Sequence, residues 1–131
     1  MNPVSQVDKV SQIFDYQFND ENLLNLALTH RSMGSKNNER LEFLGDSILG
    51  MVISSELFKR FPNEKEGVLT RLRSSLVKGD TMSEIATELN LGDYIKLVSV
   101  ELNSGGYRRA STLADVIAAI IGAIYLHSKI D

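Results

Sequence analysis

Apolar residues recur along most of this chain at intervals of three and four, the spacing of one face of an α-helix, and no segment alternates convincingly with the period of two of a half-buried strand. Val4, Val7, Val10, Ile13 and Phe14 define the first such stretch, and Asp15-Tyr16-Gln17-Phe18-Asn19 reads as a turn after it. Asp20 is placed to cap a second helix, Glu21 to His30, with Leu23, Leu24, Ala27 and Leu28 facing inward. A polar stretch from Ser32 to Asn38, with Gly34 in it, separates that helix from a long one, Glu39 to Arg60. The long helix should stop ahead of Pro62, because a proline pushes the residue before it out of the α region. Val68, Leu69, Leu72, Leu76 and Val77 mark a fourth helix closed by Gly79, and Asp80 or Thr81 is positioned to cap a fifth carrying Met82, Ile85, Ala86 and Leu89. From Leu91 to Gly106 the regularity fails at Gly92, Gly105 and Gly106, and Tyr94 to Val98 reads as a short extended piece. The last helix, Ser111 to Ser128, is apolar almost all round, which predicts a central core element or a subunit interface. The pattern as a whole is all-α.

Composition narrows the class. At 131 residues, 43% hydrophobic and 24% charged, the chain suits one soluble globular domain with a single core. With no cysteine, disulfides and thiolate metal sites are excluded, so any metal must be held by oxygen or imidazole. No hydrophobic run approaches the ~18 residues of a spanning helix, and Met1 to Val10 carries Asp8 and Lys9 with no apolar signal core, so the expectation is a cytoplasmic protein with no membrane partner. Fourteen Lys and Arg against seventeen Asp and Glu give a net charge of −3, which argues mildly against a free-standing nucleic-acid binder.

The informative anomaly lies at the start of the long helix. Glu39, Glu42 and Asp46 sit at i, i+3 and i+7, within an arc of about 60° on one helix face, while Leu41, Leu44, Ile48, Leu49 and Val52 turn the other side toward a core. Like charges that close raise one another's pKa unless a cation or a hydrogen-bond network relieves them. A second anomaly is Asp115, alone among Leu113, Ala114, Val116, Ile117, Ala118, Ala119, Ile120 and Ile121. An aspartate is almost never buried without a partner or a metal. If Asp115 meets Glu42 and Asp46 across a helix contact, the three make an oxygen cage for a hard cation such as Mg²⁺. The alternatives are a solvated acidic face for the first group and an N-terminal helix residue favoured by the macrodipole for Asp115.

The run Asn38-Glu39-Arg40-Leu41-Glu42-Phe43-Leu44-Gly45-Asp46-Ser47 resembles the signature of the ribonuclease III family almost residue for residue. Supporting matches are Ala27-Leu28-Thr29-His30-Arg31-Ser32, Glu66-Gly67, Ser104-Gly105-Gly106-Tyr107-Arg108-Arg109, Leu113-Ala114-Asp115 and Gly122-Ala123-Ile124-Tyr125-Leu126, so the resemblance covers essentially all of residues 1–131. The pattern is similar to the bacterial class. It implies an all-helical nuclease (endonuclease) domain that forms a homodimer and cleaves both strands of double-stranded RNA, in the processing of rRNA and mRNA precursors. The cofactor implied is Mg²⁺, with Mn²⁺ as its substitute, and the products are a 5′-phosphate and a 3′-hydroxyl. Carried over position by position, Glu42, Asp46 and Asp115 match metal-coordinating acids, and Glu39 and Glu66 match accessory acids at the edge of the cleft. Phe43 matches the aromatic that plugs into the partner subunit; on its own it would read as a core phenylalanine.

One departure matters. Three residues after Asp115 the family places a metal-binding glutamate, and this chain has Ala118. By that resemblance the polypeptide is expected to be cleavage-deficient. The persistence of Glu39, Glu42, Asp46, Glu66 and Asp115 favours an inactivating replacement of one side chain; the alternative is a naturally non-catalytic relative that keeps the fold for RNA binding or dimerisation. The family also carries a double-stranded RNA-binding domain after the nuclease domain, expected to be absent from this chain, which ends at Asp131. Arg108, Arg109 and Arg73 are candidate phosphate contacts, or else surface arginines paired with carboxylates. His30 reads as a hydrogen-bonded structural histidine more readily than as a general base. His127 has no acidic companion nearby in sequence, and Met33, Met51 and Met82 read as packing residues.

Overall fold

The computed structural model describes residues 6–18, 21–77 and 79–129. Among them are seven α-helices: α1 (Gln6–Ile13), α2 (Asn22–Ala27), α3 (Glu39–Arg60), α4 (Glu66–Val77), α5 (Gly79–Glu88), α6 (Ser99–Asn103) and α7 (Ala110–Lys129). Short 3-10 turns cover Arg31–Met33, Leu91–Tyr94 and Gly106–Arg108. The all-α expectation holds, and α3 has the bounds that the sequence pattern predicts. The second helix is shorter than expected: it ends at Ala27, because Leu28 to His30 leave the helix to pair with another segment. Val4, the end of the predicted turn at Asn19 and the predicted cap at Asp20 lie outside the described residues. Thr81 does not cap α5; its hydroxyl donates to the Ser75 carbonyl and ties α4 to α5.

The segment Tyr94 to Val98 is extended only in part. Leu91–Tyr94 form a 3-10 turn, and beyond it Lys96 makes an isolated parallel bridge with Thr29. The Lys96 N–H donates to Leu28 O at 2.8 Å, the His30 N–H donates to Lys96 O at 2.9 Å, and the Lys96 ammonium reaches Asn25 Oδ1 at 2.8 Å. A strand too short for a sheet thus staples two loops. Buried Asn38 completes the corner, donating its backbone N–H to Thr29 O at 2.9 Å and its side-chain amide to Ala27 O at 3.2 Å.

The core is built on α7, whose Val116, Ile117, Ala119, Ile120 and Ala123 are buried against α2, α3 and α5. Ala110–Ser128, with a mean hydropathy of 1.6, is long and apolar enough to cross a membrane by length and composition, which corrects the expectation that no segment approaches that length. Ser111, Thr112 and Asp115 interrupt the run without lowering its average enough, and in this fold the segment packs as the central core helix.

Where α3 and α7 cross, backbone meets backbone. A methyl at Gly45 would fall on the Ala118 carbonyl oxygen and lie 2.6 Å from its carbon; one at Gly122 would fall on the Leu41 carbonyl oxygen, 3.2 Å from its carbon. Pairing of 45 with 118 and of 41 with 122 means that the two helices run in opposite directions. The contact is narrow, so α3 is much less buried than its pattern predicts: Leu41, Gly45 and Leu57 are buried, while Phe43, Met51, Val52 and Phe58 stand exposed. Of the methionines read as packing residues, Met82 is buried but Met33 and Met51 are exposed.

Candidate active site

The α3–α7 crossing sets the spacing of the acids. Glu42 lies within a turn of Gly45 on α3 and Asp115 within a turn of Ala118 on α7, so both carboxyls stand close to the helix crossing, where they line one cleft. They share a side-chain hydrogen bond. Both are half-buried, and Glu42 is pushed up to about 7 from an ordinary 4.5, by burial first, then by the charge of Asp115, by that hydrogen bond, and by Asp46 and Glu39. Asp115 is also raised, chiefly by burial, although accepting from Glu42 and the nearby positive charge of Arg31 act in the opposite direction. Burial and mutual repulsion thus favour one proton shared across the pair.

Asp46 stands on the next turn of α3. Its side chain is open to solvent, yet its carboxyl is desolvated enough, and near enough to Asp115, to be raised above the usual range. Glu39 lines the mouth of the same cleft, whose walls are His30, Arg31, Asn38, Glu39, Glu42, Thr112 and Asp115. The structure thus joins Glu42 to Asp115 and sets Asp46 and Glu39 beside them. Among the described residues, no three acids or histidines converge tightly enough to hold a metal ion. Glu66 opens α4, exposed, and does not line the cleft. Ala118 is buried at the crossing, so the position adds no polar atom beside Asp115.

The remaining candidates separate by geometry. Arg109 is committed to Glu101 at 2.6 Å and to Ser104 Oγ at 3.1 Å. Arg73 donates to Ser54 Oγ at 3.1 Å. The side chain of Arg108 lies outside the described residues. His127 bonds the Tyr16 hydroxyl through Nδ1 at 2.6 Å and packs against Phe18, clasping the end of α7 to the turn after α1. Phe43 is 77% exposed, which overturns a core reading for it. It stands at the edge of an apolar groove of about 650 Å³ lined by Leu23, Leu26, Leu41, Leu44 and Leu126. Arg31 is the cleft residue that sequence reasoning passed over: it lies inside the matched Thr29-His30-Arg31-Ser32 run, but nothing in its spacing joins it to acids on α3 and α7.

Comparison with known proteins agrees with the sequence signature. The family described as Ribonuclease-III-like matches residues 20–131. Ribonuclease 3 of Marinomonas sp. (strain MWYL1) is 61% identical over 127 residues, which is 97% of this chain and 56% of that protein. Ribonuclease 3 of Vibrio vulnificus (strain YJ016) is 57% identical, with the same 97% and 56% coverage. The chain therefore spans little more than half the length of these curated relatives. Among solved structures, the nuclease domain of ribonuclease III from Campylobacter jejuni superposes with a TM-score of 0.91 at 47% identity, over 93% of this chain and 86% of that one; it is described as flexible in a region involved in dimer formation.

Proposed function

The chain belongs to the ribonuclease III family, and on that premise we propose that it is the nuclease unit of a Mg²⁺-dependent endoribonuclease acting on double-stranded RNA as a homodimer, disabled for cleavage at Ala118. The observation that carries this reading is the half-buried Glu42–Asp115 pair, two carboxyls forced to share a proton at a helix crossing with Asp46 beside them. A cluster of oxygen donors suits a hard divalent cation, which would offset the burial and the repulsion that together raise Glu42 to about 7. Glu42, Asp46 and Asp115, which do not converge on one point in the metal-free fold, would close on the ion by side-chain rotation, with Glu39 at the cleft and Glu66, outside its lining, as accessory acids. When bound, such an ion supplies Lewis acidity toward the scissile phosphate and lowers the pKa of an attacking water.

The protein's own part is placement. The Gly45–Ala118 contact fixes where the Glu42 and Asp115 carboxylates stand before any substrate arrives, which keeps their reorganisation small. Exposed Phe43 and the apolar groove beside it suit a reciprocal plug-and-socket between two copies, which would set two clefts on opposite strands of one duplex.

Ala118 removes one carboxylate from the set. Loss of a group that orients the ion costs about 4 kcal/mol of transition-state stabilisation, roughly a thousandfold in rate. The deciding experiment is a paired assay of this chain and its Ala118→Glu variant on duplex RNA with Mg²⁺ titrated in each. The expected result is Mg²⁺-dependent cutting by the variant alone. Cutting by the unaltered chain at a comparable rate overturns the assignment of Ala118, and cutting by neither overturns the nuclease reading.

A further inference from the structure

The cleft has two unlike walls. On one side stand Glu39, Glu42 and Asp115; on the other, the 3-10 turn Arg31–Met33 presents His30 and Arg31. Arg31 is the single cation among the described residues lining it. It is exposed, and although its charge is felt by both Asp115 and His30, it makes no ion pair among the described residues. Arg60 and Arg109, by contrast, are held by Glu56 and Glu101. An arginine next to three carboxylates that pairs with none of them keeps its guanidinium fork available.

His30 beside it is held rigidly. Its backbone N–H is bound to Lys96 O, and Nδ1 accepts the Ser32 backbone N–H at 3.0 Å. The Ser32 hydroxyl in turn accepts the Val98 N–H at 3.1 Å, anchoring the turn to the 95–98 segment. A ring nitrogen that accepts a hydrogen bond carries no proton, so the imidazole is neutral with its proton on Nε2. The wall therefore offers one fixed N–H donor and one cationic fork.

We propose that His30 and Arg31 form a phosphate subsite facing the acids, in which Arg31 pairs with a backbone phosphate of the RNA strand and the His30 Nε2–H donates to the same group. This rests on the double-stranded RNA reading above and adds the element it lacks. An anionic cleft repels a phosphodiester, and donors on the opposite wall draw the strand in and fix which phosphate faces Glu42 and Asp115. The subsite also explains how a chain of net charge −3, with Arg109 and Arg73 committed elsewhere, grips a polyanion beside its acids.

The test uses this chain as it stands, which binds duplex RNA without cutting it on the reading above. Fluorescence anisotropy with a labelled duplex, at salt between about 50 and 200 mM, is measured for the unaltered chain, Arg31→Gln, His30→Phe and, as a control, Arg60→Gln. Arg31→Gln should weaken binding about tenfold at low salt and reduce the slope of log K against log salt by about one, the signature of one lost phosphate contact. His30→Phe should weaken binding severalfold without changing the slope, since it removes a neutral donor. Arg60→Gln should match the parent in both. In parallel, inorganic phosphate is titrated while the Arg31 Nε–H and His30 Nε2–H signals are followed by NMR, and both should shift saturably. Parent-like affinity and slope in Arg31→Gln overturn the subsite even if RNA binds. Failure of the parent to bind RNA, with phosphate still shifting both signals, upholds the subsite and overturns the RNA reading instead.

Discussion

Replacing Gly45 with alanine is the most direct challenge to the architecture that holds the acids, and Gly50 on the same helix provides its control. In an exposed helix interior, glycine to alanine stabilises by about 1 kcal/mol through backbone entropy. At Gly50 nothing lies within 4 Å of the added methyl, so that gain should appear, at about 0.5–1 kcal/mol. At Gly45 the same methyl falls on the Ala118 carbonyl, 2.6 Å from its carbon and 3.1 Å from Gly122 N. Those are backbone atoms of a central core helix with no rotamer to change, so α3 and α7 must separate by more than an ångström. Overpacking of this kind costs about 1–3 kcal/mol and upward, and separation also loosens the neighbouring Leu41–Gly122 contact. The net expectation for Gly45→Ala is a loss of about 2 kcal/mol or more, opposite in sign to Gly50→Ala. Urea denaturation followed by circular dichroism measures both. Equal stability changes of the same sign would refute the close crossing as described.

Further outcomes follow from the charges and the exposed aromatic. Because Glu42 is raised from 4.5 to about 7, the folded state holds its proton more tightly than the unfolded chain; its stabilising contribution is complete below pH 4.5 and is lost as pH rises through 7. That interval is worth about 3 kcal/mol in full, and for a half-buried group solvent screening leaves about 1 kcal/mol. Without divalent ions the chain should therefore lose this increment between pH 5 and 8, and Glu42→Gln should abolish its dependence; an unchanged slope in that variant refutes the assignment. Ala118→Glu adds a carboxylate at a buried position beside the same pair, so it should destabilise the metal-free protein by about 1–3 kcal/mol and regain stability in Mg²⁺; a variant indifferent to Mg²⁺ would contradict a shared cation site. Phe43→Ala should leave the protomer's stability within about 0.5 kcal/mol, since the ring is exposed, while weakening self-association at least about a hundredfold, two buried rings being lost per dimer. Sedimentation velocity reads the second effect, and an unchanged dimer constant removes Phe43 from the interface.

The sequence carried the helices whose periodicity is set by their own burial, and it failed where another segment decides. The α3 boundaries follow from local signals, with Pro62 at its end, and α7 announces itself as a core helix by composition. Leu28 to His30, by contrast, continue the apolar spacing of α2, yet their backbone is taken by Lys96, a partner 66 to 68 positions away with no local mark. The exposed Phe43, Met51 and Phe58 were illegible for a related reason: apolar spacing says that a face is buried, not by what. Two glycines narrow the α3–α7 contact to a strip, so much of the apolar surface of α3 is left to something other than this chain's own core. At the site, helical spacing brought Glu39, Glu42 and Asp46 to one face, but their meeting with Asp115 depends on how Gly45 meets Ala118, which no periodicity encodes.

The same crossing links stability to chemistry. Carboxylates on flexible side chains would separate to relieve repulsion, whereas Glu42 and Asp115 stand on backbones held in contact by Gly45, Ala118, Leu41 and Gly122. Burial of α7 against α2, α3 and α5 therefore sustains the close approach of the charges, and a shared proton is the cheapest relief in the absence of a cation. Alanine at 118 fits this balance: it places no negative group at the most crowded part of the crossing and leaves two carboxyls that one proton can satisfy. A glutamate there would exceed what one proton can neutralise and make the folded state dependent on a divalent ion. On this account, the Ala118→Glu change expected to permit cleavage would be the one that costs the metal-free fold most, whereas alanine leaves a crossing that is stable without a cation.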